Sequence, residues 1–471
     1  MNPAPSVSYS FTLRLRIRNK PGMLARVLGV IAARRGDPGA VDLVRGDRNF
    51  KTRDLTVSAR DEAHAEQIHR AIGELRGVEV LHVSDRVFLM HLGGKIRVQN
   101  RFPLATRDTL SMAYTPGVAR VCLAIAEDKG KADVFTIKRN SVAVVSDGSS
   151  VLGLGNIGPE AAMPVMEGKA MLFKEFADID AWPLCLKTQD AEEIVRAVRW
   201  MATGFGGINL EDISAPRCFQ IEEELRKSLD IPVFHDDQHG TAIVVLAATL
   251  NALKVVRKRL RDVKILIAGA GAAGVATVRI LRSAGARHIL CCDRKGLVGR
   301  HRLPDLDFSK AWLARHTNPD NLRGSIEEAA RGADLFIGVS GPGIFPVRAL
   351  KRMAKDPVVF ALANPVPEIL PEEAGRYARI VATGRSDYPN QINNVLAFPG
   401  VFRGALDARA REINDAMNLA AAHAIAGCVA PEELGEECVV PSLFNKQVAH
   451  RVAYAVETAA RATRVARKSR A

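Results

Sequence analysis

The stretch FHDDQHGTA, residues 234–242, sets Asp236 and Asp237 side by side between two histidines. Adjacent carboxylates repel, so such a pair needs solvent, a cation or a base beside it. A second acidic pair, Glu211-Asp212, closes the short β-like segment GGINLEDI. Either pair alone reads equally as a solvated loop or a helix N-cap. Together, each at the end of an apolar run, they can converge on one cation, and an all-oxygen set suits Mg²⁺ or Mn²⁺ better than zinc. His235 and His239 have the i, i+4 spacing of a zinc helix, but the run H-D-D-Q-H lacks the glutamate of that motif and further zinc ligands are not evident.

A third stretch, VKILIAGAGAAGVATVRILRSAGARHILCCD, carries phosphate chemistry. An apolar strand leads into Gly269, Gly271 and Gly274 in the order G-x-G-x-x-G, and a helix follows through Ala272 and Ala273. The first glycine permits the tight turn, the second lets a pyrophosphate approach the backbone, and the third lets helix and strand pack closely. The N–H groups at the start of the helix then face the phosphate anions. Asp293 ends the next strand about 20 residues further on, where an acid binds the ribose hydroxyls of NAD. It would repel the 2′-phosphate of NADP, yet Arg294 and Lys295 follow and could clasp that phosphate. The reading leans to NAD, with NADP open.

These groups need elements to hold them. Residues 10–89 read as a unit: FTLRLRIR alternates as a strand, NKPGMLARVLGVIAARRG is helical, AVDLVRG and RDLTVSA form a hairpin around DRNFK, DEAHAEQIHRAIGELRG is a second helix and VEVLHVSDRVFLM a last strand. The order βαββαβ is ferredoxin-like. With RIRNKPGMLARV it resembles the ACT domain, a regulatory module, which implies an amino-acid or metabolite effector near Pro21-Gly22; an oligomerisation module that binds nothing is the equal alternative. HLGGKIRVQNRFPLATRD bridges to a mixed α/β region. Repeated strand–Gly loop–helix patterns follow, then an Ala-rich helical end. Gly240-Thr241 is read as the start of the helix leading into the dinucleotide region.

Composition limits the classes. The 471 residues are 47% hydrophobic and 25% charged, enough for about two to four domains. No apolar run of membrane-spanning length occurs, and the start lacks the pattern of a signal peptide. Seven scattered cysteines with no CxxC pair suit a reducing compartment, so the expected place is the cytoplasm. The net charge of +14 raises nucleic acid as a partner, but the basic residues are dispersed except in the tail RATRVARKSRA, and no nucleic-acid motif accompanies them. A basic surface also steers small anions. Neither nucleic acid nor membrane is expected as a partner.

Six further stretches in order, AYTPGVA, SDGSSVLGLGNIGPEAAMPVMEGKAMLFKEFADIDAWPLCL, INLEDI, FHDDQHGTAIVVLAA, FALANPVPEI and GRSDYPNQINNVLAFPGVFRGALD, make the chain from about residue 93 onward resemble the bacterial-type malic enzymes. The resemblance implies oxidative decarboxylation of L-malate to pyruvate with NAD(P). It implies Tyr114 as general acid, Lys169 as general base held by Asp236, and Glu211, Asp212 and Asp237 as ligands of Mg²⁺ or Mn²⁺. Asn364, Asn393 and Asn394 fall at malate-binding and nicotinamide-side positions. Taken singly, Tyr114 would be a turn residue and Lys169 an exposed helix lysine. A lysine base must be neutral near pH 7, which burial or a neighbouring cation favours. Ser150 stands where larger relatives carry an arginine for the malate carboxylate, so that partner is unassigned. The expected fold is α/β in four parts: a ferredoxin-like ACT domain (1–92), a mixed α/β malate- and metal-binding domain (93–250), a Rossmann-type dinucleotide domain (251–395) and a helical C-terminal segment (396–471) packing on the substrate domain. A homodimer or larger homo-oligomer is implied. A malolactic enzyme, giving lactate without net NADH, and an amino-acid-sensing regulatory protein are the alternatives.

Overall fold

The computed structural model describes residues 5–467; the chain start and the last four residues of the basic tail lie outside them. The chain divides into two compact units after Val98.

The first unit runs β1 (Ser6–Arg18), α1 (Met23–Ala33), β2 (Asp37–Gly46), β3 (Phe50–Ala59), α2 (Glu62–Gly73) and β4 (Val78–Asp85). Its antiparallel sheet has the order β2-β3-β1-β4, the ferredoxin-like arrangement. The alternation in β1 decides which face is covered. Leu13, Leu15 and Ile17 are buried with Val27 and Ile31 of α1 and Ile68 and Ile72 of α2, while Arg14, Arg16 and Arg18 face away. Asp47 Oδ1 accepts from the backbone of Asn49 and Phe50, tightening the β2–β3 turn. The last strand is shorter than the sequence pattern suggests. It stops at Asp85, whose carboxylate accepts from Val87 and Phe88 N and so caps a helix, α3 (Arg86–His91); the capping acid outweighs the strand-like run of apolar residues.

The second unit opens with an arm of short helices, α4 (Arg107–Ala113), α5 (Val118–Glu127) and α6 (Ala132–Phe135), none of which buries a residue. Residues 107–127 are long and apolar enough in composition to cross a membrane. The turn at 114–117 divides them into two helices of 7 and 10 residues, about 10 and 15 Å long, each short of the roughly 30 Å hydrocarbon core.

A parallel sheet follows, built from β5 (Ser141–Ser146), α7 (Pro159–Ala177), β6 (Asp180–Cys185), α8 (Ala191–Met201), β7 (Gly207–Leu210), α9 (Arg217–Ser228) and β8 (Val233–His235), in the order β6-β5-β7-β8. The long α10 (Asp236–Val255) leaves its edge. The second sheet then forms from β9 (Lys264–Ala268), α11 (Ala272–Ser283), β10 (His288–Asp293), β11 (Gly296–Leu297), α12 (Phe308–His316), α13 (Ile326–Ala329), β12 (Leu335–Gly338), α14 (Val347–Leu350), β13 (Val358–Ala361), α15 (Pro371–Ala374) and β14 (Ile380–Thr383). Its order is β11-β10-β9-β12-β13-β14, parallel except for β11. Its strands are short apolar runs, as a sheet covered on both faces requires.

Three helices close the chain: α16 (Phe398–Asp407), α17 (Asp415–Ala426) and α18 (Gln447–Ala462). Gly404 brings α16 against α18 so closely that a Cβ there would lie 2.3 Å from Ala453 O. On its other side α16 sends Phe398 and Phe402 into the first sheet's core, where they meet Phe173 of α7 edge-on at 4.7 and 5.3 Å and Phe402 meets Phe234 of β8 at 5.7 Å. This aromatic cluster joins the C-terminal helices to the strand that precedes Asp236. Phe402→Ala, at a fully buried position, is expected to cost about 3–5 kcal/mol, read as a lowered denaturation midpoint; an unchanged midpoint would show that the cluster contributes little.

Candidate active site

β5, β7 and β8 are parallel neighbours, so their carboxyl ends open on one edge, where open α/β sheets place ligands. β7 hands the chain to Glu211 and Asp212, and β8 hands it to Asp236 and Asp237. One oxygen from each of Glu211, Asp212 and Asp237 lies within 4.8 Å of the other two. Asp212 adopts a left-handed backbone, φ 56°, at a cost of about 1–3 kcal/mol. Two hydrogen bonds hold it: its N–H donates to Asp237 Oδ2 at 2.8 Å, and its carbonyl accepts from Ser150 N at 2.9 Å. Asp212 Oδ2 is buried with no hydrogen-bond partner among the described residues. An orphaned carboxylate oxygen beside two other carboxylates fits a divalent cation.

The helix after β8 begins at Asp236, four residues before the Gly240-Thr241 start read from sequence. Both aspartates therefore lie in its first turn, where the unpaired N–H groups and the helix dipole favour negative charge. Gly240 lies one turn on, and a Cβ there would fall 1.8 Å from Asp236 Oδ1. The glycine is the space into which the Asp236 carboxylate fits. The His239 ring turns to Glu222 of α9, its Nε2 lying 2.8 Å from Glu222 Oε1, which also accepts from the backbone N–H of His235 at 3.3 Å; the buried His235 ring lies with Nδ1 3.7 Å from Asp237 Oδ2. Glu222 was not singled out in the sequence, since a glutamate inside a helix carries no local signal.

Lys169, on α7, is buried. Its Nζ lies 2.6 Å from Asp236 Oδ2, 2.9 Å from Glu211 Oε1 and 4.3 Å above the Phe398 ring. The neutral lysine expected from burial is not what this surrounding favours. Burial pushes the ammonium down, but Asp236 and Glu211 more than reverse it, and the pKa is raised. The carboxylates are raised as well: burial first, then neighbouring like charge, holds Glu211 above its ordinary range and pushes Asp212 up to about 8.

The asparagines divide. Asn394 donates from Nδ2 to Asp236 Oδ2, so its amide positions the lysine's partner. Asn393 Oδ1 accepts from Val395 N at 3.0 Å and caps the turn that brings Asn394 in. Asn364 is exposed, and its carbonyl would lie 2.5 Å from a Cβ on Gly153, so the VLGLG loop runs close over it. Tyr114 is 67% exposed. Its hydroxyl has no partner among the described residues, and its backbone is bonded within the arm. The structure does not bring it to Lys169.

A cleft of about 1060 Å³ spans the glycine turn and is lined by Gly269, Gly271, Asp293, Arg294, Lys295 and Lys310 among others. Gly269 has φ 120°, and a Cβ on it would meet Val339 O at 2.3 Å; one on Gly274 would meet Gly269 O at 1.9 Å. Gly271 has open space in front of it, which leaves room for a phosphate over Ala272 and Ala273 at the start of α11. Asp293 is not a free acid. Arg302 grips both its oxygens at 2.9 and 2.7 Å, and Lys310 stands 3.9 Å away. Glu368, fully buried, accepts from Ser340 N and Ala363 N and ties together the loops after β12 and β13. Neither Arg302 nor Glu368 was anticipated, because their partners are set by the fold.

A Rossmann-type sheet whose glycine turn opens on a dinucleotide-sized cleft, joined by one helix to a carboxylate cluster and buried lysine, defines a two-lobed dinucleotide-linked enzyme. The chain belongs to the malic enzyme family: residues 93–226 match the malic enzyme N-terminal domain and residues 238–461 the malic enzyme NAD-binding domain. It is 57% identical over 459 residues to an NAD-dependent malic enzyme of Geobacillus stearothermophilus, covering 98% of this chain and 96% of that one. It is 52% identical over 375 residues to a bifunctional malic/malolactic enzyme of Bacillus subtilis, covering 79% and 92%. The crystal structure of malic enzyme from Pyrococcus horikoshii superposes with a TM-score of 0.77 at 52% identity, over 80% of this chain and 89% of that one.

Gly240→Ala is expected to drive Asp236 off Lys169 and lower turnover by about a hundredfold with the far-ultraviolet circular dichroism unchanged. Normal turnover would show that the Asp236 carboxylate has other room.

Proposed function

We propose that this protein oxidatively decarboxylates L-malate to pyruvate and CO₂ with reduction of NAD or NADP, assisted by Mg²⁺ or Mn²⁺. The observation that carries it is Lys169 Nζ between Asp236 and Glu211, one buried nitrogen sharing a carboxylate with the cation cluster. Malate oxidation removes a proton from the C2 hydroxyl and a hydride from C2. Lys169 takes that proton in its neutral form. Glu211, Asp212 and Asp237 would hold the cation, whose charge on Glu211 would weaken the carboxylate pull that keeps Lys169 protonated. A cation bound there would supply Lewis-acid stabilisation of negative charge during loss of CO₂, and a bound nicotinamide would be the hydride acceptor. Asp236, held by Asn394, keeps the lysine aimed. Asn364 and Asn393 are read as residues of the substrate and nicotinamide side. The three-carbon product then needs a proton at C3, which the Tyr114 hydroxyl donates.

Tyr114 rides on an arm whose Leu110, Met112 and Leu123 are exposed, an apolar surface that calls for a cover. We infer a homo-oligomer in which a second copy covers the arm and Tyr114 serves as the acid once the arm is docked. The first unit is read as an ACT-type regulatory module for an amino acid or metabolite at the Pro21-Gly22 turn, where Gly22 has φ 82°. Seven free thiols suit the cytoplasm.

A steady-state assay with malate, Mn²⁺ and either dinucleotide is expected to give reduced dinucleotide and pyruvate in equal amounts; lactate without net NADH would replace this reading with the malolactic one. Lys169→Ala should lower kcat by about a hundredfold or more and leave NAD binding intact, and near-normal turnover would remove the lysine from the base role. The pH dependence of cation binding has a definite sign. Asp212, pushed up to about 8, must lose its proton to bind a cation, so Mn²⁺ affinity rises with pH and levels off near 8. In the metal-free protein the folded state keeps a proton that the unfolded carboxyl loses near about pH 4, so Asp212's contribution to stability falls as pH rises from there to about 8. The Mn²⁺-induced rise in Tm is therefore larger at pH 8 than at pH 6. An equal rise at both would exclude proton competition at Asp212.

A further inference from the structure

A second polar cavity, of about 330 Å³, lies among α9, α10, α11, α12 and α17 and shares no lining residue with the dinucleotide cleft. Three guanidiniums line it, Arg226, Arg279 and Arg282, against one carboxylate, Asp415. Their donors are largely uncommitted. The charge of Arg279 reaches the Glu223 carboxyl, but its guanidinium makes no hydrogen bond or close ion pair among the described residues and lies 4.8 Å over the Trp312 ring. That ring is itself stacked on His316 at 4.2 Å, so the cation rests on a fixed aromatic platform. Arg282 commits one N–H to His316 O at 2.6 Å. Arg226 donates to Ile413 O at 3.1 Å and stands 3.6 Å from Glu412. The same cavity is lined by Asn418, 6% exposed, whose Oδ1 is buried without a partner. An unpaired buried amide oxygen calls for a ligand donor, and the same amide turned over presents two donors of its own.

We propose that this cavity is a binding site for a small metabolite carrying at least two negative charges. Guanidinium forks accept phosphate and carboxylate groups alike. The volume exceeds that of a lone inorganic ion and falls at the lower end of the range for small-molecule sites. A polyhydroxyl phosphate ester satisfies the arginines and donates a hydroxyl to the Asn418 oxygen, whereas a dicarboxylate, which only accepts, satisfies the arginines and the Asn418 amide in its turned-over orientation. The place gives such a ligand leverage: α10 lines the cavity through Ala242 and carries Asp236 and Asp237 in its first turn, and α11 lines it through Arg279 and Arg282 and begins at the glycine turn. The inference stands apart from the malate reading, since none of these arginines belongs to the carboxylate site.

The test titrates the full-length protein, with saturating NAD closing the dinucleotide cleft, by calorimetry with fructose 1,6-bisphosphate in one arm and succinate in the other. At least one probe is expected to bind the wild-type chain, and the arm that binds identifies the anion class. Arg279→Gln, at an exposed side chain, should weaken that binding about tenfold or more while the NAD affinity and the malate KM hold. Arg282→Gln should do the same, so the outcome does not rest on one variant. Absence of binding by both probes at millimolar concentration, or binding equal in wild type and both variants, overturns the proposal.

Discussion

The buried ion pair between Lys169 and Asp236 is the contact on which the rest of the site depends. Four carboxylates, from Glu211, Asp212, Asp236 and Asp237, stand around one buried ammonium. Burying charge is costly, and a buried pair seldom repays its desolvation by itself. The cluster is held by everything around it: the first turn of α10 supplies partial positive charge, Asn394 and Asp212 N–H donate to the aspartates, and Asn209 Nδ2 donates to Glu211 at 2.8 Å. Even so, negative charge outweighs positive, which is why burial and mutual repulsion raise Asp212 and Glu211. A divalent cation would resolve that imbalance, and an all-oxygen cluster of this kind suits a small hard ion.

Topology makes the crowding possible. Neighbouring parallel strands end on one edge, so the acidic pairs that follow β7 and β8 must meet, and α7, crossing back over β5, brings Lys169 from the side. The Phe398 ring of the aromatic cluster lies 4.3 Å beneath the Lys169 ammonium, which pairs with Asp236 and Glu211. The strained Asp212 backbone and the absent side chain at Gly240 are local concessions of the same kind. Each is unfavourable for the chain alone and tolerated because the surrounding packing fixes it.

Much of this was legible in the sequence, for identifiable reasons. The βαββαβ unit could be read because period-two alternation in FTLRLRIR and helical spacing in its helices are local signals. The glycine turn was legible because steric limits on a backbone that must approach a phosphate leave few residue types. What escaped depended on long-range partners. Glu222, Arg302 and Glu368 act on groups that the fold brings to them, and no spacing rule reaches that far. The raised pKa of Lys169 depends on Asp236 and Glu211 together, and Glu211 reaches that pocket only through the fold. The start of α10 lies four residues before Gly240, because that glycine is the space left for the side chain one turn earlier and not a helix boundary.

Asp293 shows how a motif rule changes meaning once its partners are known. The rule that an acid at the end of the second strand favours NAD assumes a carboxylate free to bind ribose hydroxyls and to repel a phosphate. Here Arg302 occupies both oxygens, and Arg294, Lys295 and Lys310 line the same cleft. The charge that would reject a 2′-phosphate is matched within about 3 Å by a guanidinium, and further cations stand beside it. Discrimination between the two dinucleotides then rests on whether Arg302 keeps its grip when the ribose arrives. A ribose with two hydroxyls competes for the Asp293 oxygens; a phosphorylated one competes for the arginine instead. With Arg302 on both Asp293 oxygens, the presence of the acid alone does not decide between the two dinucleotides.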